Sequence, residues 1–142
     1  MKVLKSPCQP FTKNLLFQLG FSTLITHELD AVAQSEWKIL FVLRSLSEPI
    51  AASTFVAMHV PLVAILLYLT HHKSLSIQYW SRTLVALFLV VHAGLHKRLE
   101  WQHSPNYTFD SWLSVGLIMS SGILGFIYLV VQGLDTKKDS LE

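Results

Sequence analysis

The stretch His27-Glu28-Leu29-Asp30-Ala31-Val32-Ala33-Gln34-Ser35-Glu36-Trp37 decides how this chain is read. It follows an apolar run, residues 14–26, yet its first ten positions hold four ionisable groups: His27, Glu28, Asp30 and Glu36. If the apolar run enters a bilayer, His27, Glu28 and Asp30 lie in or at the edge of the hydrocarbon, where ionisable side chains are costly, rare and tied to function. At about 100° per residue, His27, Asp30 and Gln34 share one helical stripe beside Ala31, while Glu28 and Glu36 point elsewhere.

The rest of the chain makes the bilayer the natural solvent. Of 142 residues, 51% are hydrophobic and 14% charged, against about 25% charged in an ordinary soluble domain. The mean hydropathy is +0.44. This composition predicts an integral membrane protein made of a single all-α domain over residues 1–142. The net charge of +2 is no footprint for nucleic acid, and the lone Cys8 excludes an intrachain disulfide.

Four spans follow from hydropathy. The leader, with Lys2, Lys5, Lys13, Pro7 and Pro10, is basic and irregular and precedes a first span over about 12–34. Together they imitate a secretory signal, because Ala31-Val32-Ala33 has the small-x-small form of a cleavage site. The ionisable residues of the span argue against that reading. Residues 37–44 are amphipathic and suit an interfacial helix or an extension of the first span. Ser47-Glu48-Pro49 opens a second span, 49–70, which contains His59 and Pro61. A third span covers 78–101, a turn at His103-Ser104-Pro105-Asn106 follows, and the fourth span, 111–131, is free of charge. In it Gly116, Ser120, Ser121 and Gly125 form small-x-x-x-small pairs that favour close helix approach. Residues 135–142 read as a flexible charged tail.

Two aromatic belts bracket these spans: Trp37, Trp101, Tyr107 and Trp112 on one side, and Tyr68, Tyr79, Trp80 and Tyr128 on the other. The expected architecture is a four-helix up-down bundle with both termini on one side. Lys and Arg favour that side seven to four: Lys2, Lys5, Lys13, Lys73, Arg82, Lys137 and Lys138 against Lys38, Arg44, Lys97 and Arg98. The termini are therefore expected in the cytoplasm and the bundle in a plasma membrane.

The unusual residues then gather on the opposite, extracytoplasmic side. At ~1.5 Å per residue, His27 is ~15 Å below Trp37, His59 ~15 Å from Pro49, and His92 ~13 Å below Trp101, so three helices bring histidines to one depth. His92 and His96 are an i, i+4 pair on one face, with Glu100 and His103 further along the same stripe. Imidazole and carboxylate are the usual ligands of zinc and non-haem iron, and bundle interiors host such ions. The expected metal ligands are His27, Asp30, His59, His92 and His96, with Glu28 or Glu36 as general base or ligand-orienting group. Each histidine alone fits a core group bonded to a carbonyl; four at one depth on three helices fit a site. The zincin pattern is absent, since position 31 is Ala, as are phosphate-binding loops and paired cysteines.

These segments, His27-Glu28-x-Asp30-Ala31…Glu36-Trp37, His59-x-Pro61-Leu62 and His92-x-x-x-His96, resemble small uncharacterised bacterial multi-pass membrane proteins over about 14–131. The resemblance implies a shared site and supplies no reaction. The chain thus reads as a membrane bundle with a divalent zinc or iron site, acting on a lipid-like substrate by metal-assisted hydrolysis or oxidation. A b-type haem with His59 and His92 as axial ligands is the alternative. A third reading is a non-catalytic subunit whose polar residues bond helices or relay protons.

Overall fold

The computed structural model describes residues 8–101 and 112–139. Residues 1–7 of the basic leader, the turn at 103–106, His103 and Tyr107 lie outside the described residues, as do the side chains of Cys8, Pro10, Glu100 and Trp101. Four helices fill the described chain: α1 (Cys8–Ala33), α2 (Glu48–Thr70), α3 (Leu75–Trp101) and α4 (Trp112–Asp139). Two single 3-10 turns, Glu36–Ile39 and Leu43–Ser45, link α1 to α2. No strand occurs among the described residues.

α2 and α3 keep close to the expected bounds, while α1 starts earlier, at Cys8, so that residues 8–13 are helix rather than irregular leader, and α4 runs past its expected end. Ser47 is extended, with φ −62° and ψ 146°, and Pro49 sits in the first turn of α2, where a missing N–H costs nothing. Pro61 lies within α2 without ending it. By contrast, α4 runs on through Asp139, taking in residues expected to be tail. Lys13 Nζ meets Asp135 Oδ2 at 2.9 Å, which ties this added length to α1.

Residues 37–44 are neither an interfacial helix nor an extension of α1. Ser35 adopts φ 58° and ψ 38°, a left-handed conformation that ends a helix. The chain reverses there, and Trp37 turns inward onto Phe55 and into a buried cluster with Ala31, Leu43 and Ala51. Trp37 is therefore core and not part of an aromatic belt. Tyr128 is core too, packed with Phe17, Phe21, Val85 and Ala86. Tyr68, Tyr79, Trp80 and Trp112 are exposed.

α4 lies along α1 and α3, while α2 rests more loosely, chiefly on α3. The closeness of α3 and α4 depends on glycine. A Cβ on Gly125 would stand 2.8 Å from the Ala86 carbonyl oxygen, and one on Gly122 would stand 2.6 Å from Ala93 Cβ. At Gly116 a Cβ would meet nothing, and Ser120 is exposed, so the tight seam is Ser121, Gly122 and Gly125. Gly125→Leu is accordingly expected to cost roughly 1–3 kcal/mol through overpacking, and Gly116→Leu almost nothing. Thermal unfolding of both variants in detergent checks this; equal melting points would mean that the seam is not a tight one.

Two helices, α2 and α4 over Trp112–Asp135, are long and apolar enough to cross a membrane. α1 and α3 fall short of that measure for a physical reason: both carry charged residues within their apolar lengths, including Glu28 and Asp30 on α1 and Arg82 on α3.

Candidate metal centre

Each site histidine continues an apolar core stripe. On α1 the buried stripe is Phe17, Phe21, Leu24, His27 and Ala31; on α3 it is Val85, Ala86, Leu89, Ala93 and His96. The spacing of three and four residues is what one face of a helix requires. His27 is fully buried and His96 nearly so, at 0% and 3% exposure. His92 sits one turn from His96 on the same face of α3 and is partly buried.

The three imidazoles meet. His27, His92 and His96 each offer a nitrogen within 4.8 Å of the others. Their rings pack edge to face, with centroids 5.6, 5.0 and 4.5 Å apart. His27 Nε2 and His92 Nε2 are buried without a hydrogen-bond partner. Leaving such a nitrogen unsatisfied costs about 1–3 kcal/mol, whereas a metal ion would use its lone pair. The Nδ1–H of His27 can point to Ser114 Oγ, 3.5 Å away, leaving Nε2 for the ion, in the way outer groups commonly fix a ligand tautomer.

The fourth group is Glu36. A continuing helix would carry it about 13 Å beyond His27 along the axis. The reversal at Ser35 returns it instead, buried, with Oε2 at 3.7 Å from both His27 Nε2 and His96 Nε2. These separations are too long for hydrogen bonds. They are close to the ~3.3–3.6 Å edge of a tetrahedron whose metal–ligand bonds are ~2.0–2.2 Å. The three nitrogens are donors suited to zinc or ferrous iron, and the Glu36 carboxylate stands beside two of them.

Glu28 and His59 stand beside this centre as a pair. Glu28 Oε2 lies 3.0 Å from His59 Nε2, and Glu28 Oε1 lies 3.9 Å from His92 Nε2. His59 Nδ1–H donates to the Phe55 carbonyl at 2.7 Å. That commitment leaves Nε2 facing the carboxylate, so a single proton must lie between them. Such a shared proton is the equipment of acid–base chemistry.

Of the expected ligands, the fold thus brings together His27, His92 and His96 and leaves two outside the trio. His59 is occupied by Glu28. Asp30 is partly buried, and its Oδ2 has no hydrogen-bond partner. Glu28 and Glu36 do not point away from the site: one reaches His59 and His92, the other His27 and His96. The haem alternative paired His59 with His92, and the Glu28 carboxylate fills the space between those rings. Ser114 escapes notice in the sequence because one serine near a helix start carries no signal; only its place on the Ile118–Ser121 stripe points inward. Far from this centre, His71 Nε2 bonds Gln18 at 2.9 Å, and His72 rests on Tyr68.

Under the histidines lies a cavity of about 640 Å³ between α2, α1 and α3. Its polar end holds Glu28, Glu36, His59, His92 and His96; apart from Ser81, the rest of its lining is apolar.

A family model described as "Family of unknown function (DUF6713)" matches residues 13–135. No curated protein and no solved structure matches the chain.

Proposed function

The chain belongs to the DUF6713 family of unknown function, and from its geometry we propose a four-span membrane protein in which His27, His92, His96 and Glu36 hold one divalent zinc or iron ion. The observation that carries the proposal is the position of Glu36 Oε2, 3.7 Å from two histidine nitrogens on different helices.

A bilayer setting for all four helices is supported by the outer surface. Leu15 and Leu19 on α1, and Leu84, Leu87, Val91 and Leu95 on α3, are exposed, while Glu28, His92 and Arg82 turn inward to partners. This is the distribution that hydrocarbon demands. Arg82 is buried rather than interfacial and drops out of the basic count. The remaining bias still puts the termini in the cytoplasm of a bacterial cell and the metal end outside.

When bound, a divalent ion supplies Lewis-acid activation of water or of a carbonyl. The chain's residues supply the rest. Glu28 Oε1, on the α2 side of the centre, is placed to accept a proton from water, while Oε2 keeps the proton it already shares with His59, which the Phe55 carbonyl anchors. Phe88 stacks on His92 and restricts water to the polar end. This equipment fits metal-assisted hydrolysis of a lipid-like substrate better than oxidation, because a proton-handling pair stands within reach of the metal ligands.

Elemental analysis of the full chain, purified in mild detergent, is expected to find about one equivalent of zinc or iron. A C-terminal alkaline phosphatase fusion should be inactive. Protein that holds no metal, and takes up none on titration with zinc or ferrous iron, would falsify the centre; an active fusion would reverse the orientation.

A further inference from the structure

We propose that the cavity beneath the histidines is the binding channel for one acyl chain of a lipid, entered sideways from the bilayer, with the lipid's polar group at Glu28 and His92 and its methyl end beside Leu69 and Ser81. Only the nature of the polar end rests on the metal reading.

α2 is fastened at two heights, and between them, where Leu66 packs against the Phe17 cluster, the channel runs along its inner side. Near its start, Ala51 and Phe55 join the Trp37 cluster, and His59 is held by Glu28 at 3.0 Å. At its end, Arg82 Nε donates to the Thr70 carbonyl at 2.9 Å while Nη1 donates to Asn14 Oδ1, and His71 meets Gln18 at 2.9 Å. The guanidinium therefore clamps α1, α2 and α3 together at the far end. The open length, from His59 to Leu69 or from His92 to Ser81, is about 15–17 Å, which matches an extended chain of about a dozen carbons.

Polarity selects the occupant. Carboxylates and imidazoles crowd one end, and the remainder is leucine, valine, isoleucine, methionine and phenylalanine apart from Ser81. An amphiphile matches that gradient; a sugar or a peptide would leave its own polar groups unpaired along the wall. The volume, about 640 Å³, lies within the usual range for small-molecule sites. Entry is marked by residues that both line the channel and are exposed on the flank: Met58 at 57%, Leu62 at 50%, Leu84 at 63% and Phe88 at 48%. They sit between α2 and α3 at the level where apolar surface faces lipid tails, so a chain can move in from the membrane without crossing water.

The test uses the full chain in phosphatidylcholine nanodiscs and a nitroxide-labelled fatty acid, labelled either near the carboxyl or near the methyl end. The expected result is a saturable, motionally restricted component of about one probe per chain. Val63→Trp and Leu84→Trp, which fill the channel from opposite walls, should weaken it by about tenfold or more, with circular dichroism and metal content unchanged. Val60→Trp is the control, because Val60 is 74% exposed and outside the lining. On loading with cobalt, the carboxyl-end label should broaden more than the methyl-end label. Metal-loaded protein that shows no saturable restricted component overturns the proposal, as do channel-filling variants that bind the probe like wild type. Protein that takes up no metal yet restricts the probe supports the channel and removes the metal centre alone.

Discussion

His96→Ala is expected to abolish binding of zinc or ferrous iron, and His27→Ala to do the same, with the helices retained. Both side chains are buried on core stripes, and both point Nε2 toward the Glu36 carboxylate at 3.7 Å. Loss of an outer group around a metal typically costs 10–100-fold in affinity, so loss of a ligand should exceed about 100-fold. His59→Ala should fall in the smaller class, because His59 bonds Glu28 and is not one of the three converging imidazoles. His71→Ala should leave metal content unchanged. If the histidines only bonded helices together, each change would cost about 0.6–1.7 kcal/mol of stability and move no metal. Metal stoichiometry of the four variants decides between these forecasts: equal content in His96→Ala and His71→Ala would sink the centre.

Hydropathy located four helices because burial against lipid or core leaves a period and a length in the sequence. Depth counting along three helices brings His27, His59 and His92 to one level, since a helix has a fixed rise, and the i, i+4 spacing adds His96; the fold joins His27, His92 and His96 and leaves His59 beside them on Glu28. Direction was harder to read. A wheel drawn through His27, Asp30 and Gln34 turns Glu28 away, whereas the inner stripe of α1 runs through Leu24, His27 and Ala31. That choice of stripe is made by α3 and α4, which single-helix periodicity does not contain. Trp37 and Tyr128 have the composition of belt residues and are core. Arg82, counted as a surface charge, is held inward by a carbonyl and an amide on other helices. Glu36 was the least legible, since its position depends on one left-handed residue, and serine carries no strong signal for that conformation.

Glu36→Ala is expected to lower metal affinity by about 100-fold or more, and a substitution one residue earlier should reach the same end through the backbone. Ser35 holds φ 58°, which glycine adopts freely and a β-branched residue adopts only with strain. Ser35→Gly should therefore keep the turn, the Glu36 position and the metal. Ser35→Ile should cost of order 1–3 kcal/mol and swing the carboxylate away from His27 and His96. Glu36→Gln separates charge from shape. What it should lose is stabilisation by metal. At a free ion concentration 100 times the dissociation constant, binding to the folded state alone adds about 2.7 kcal/mol. The parent is expected to show this rise on zinc titration, with Ser35→Gly alike and Ser35→Ile and Glu36→Gln nearly flat. Melting curves with and without zinc read all four at once. Glu36→Gln that gains as much as the parent would mean that the carboxylate is no ligand and that the three histidines hold the ion without it.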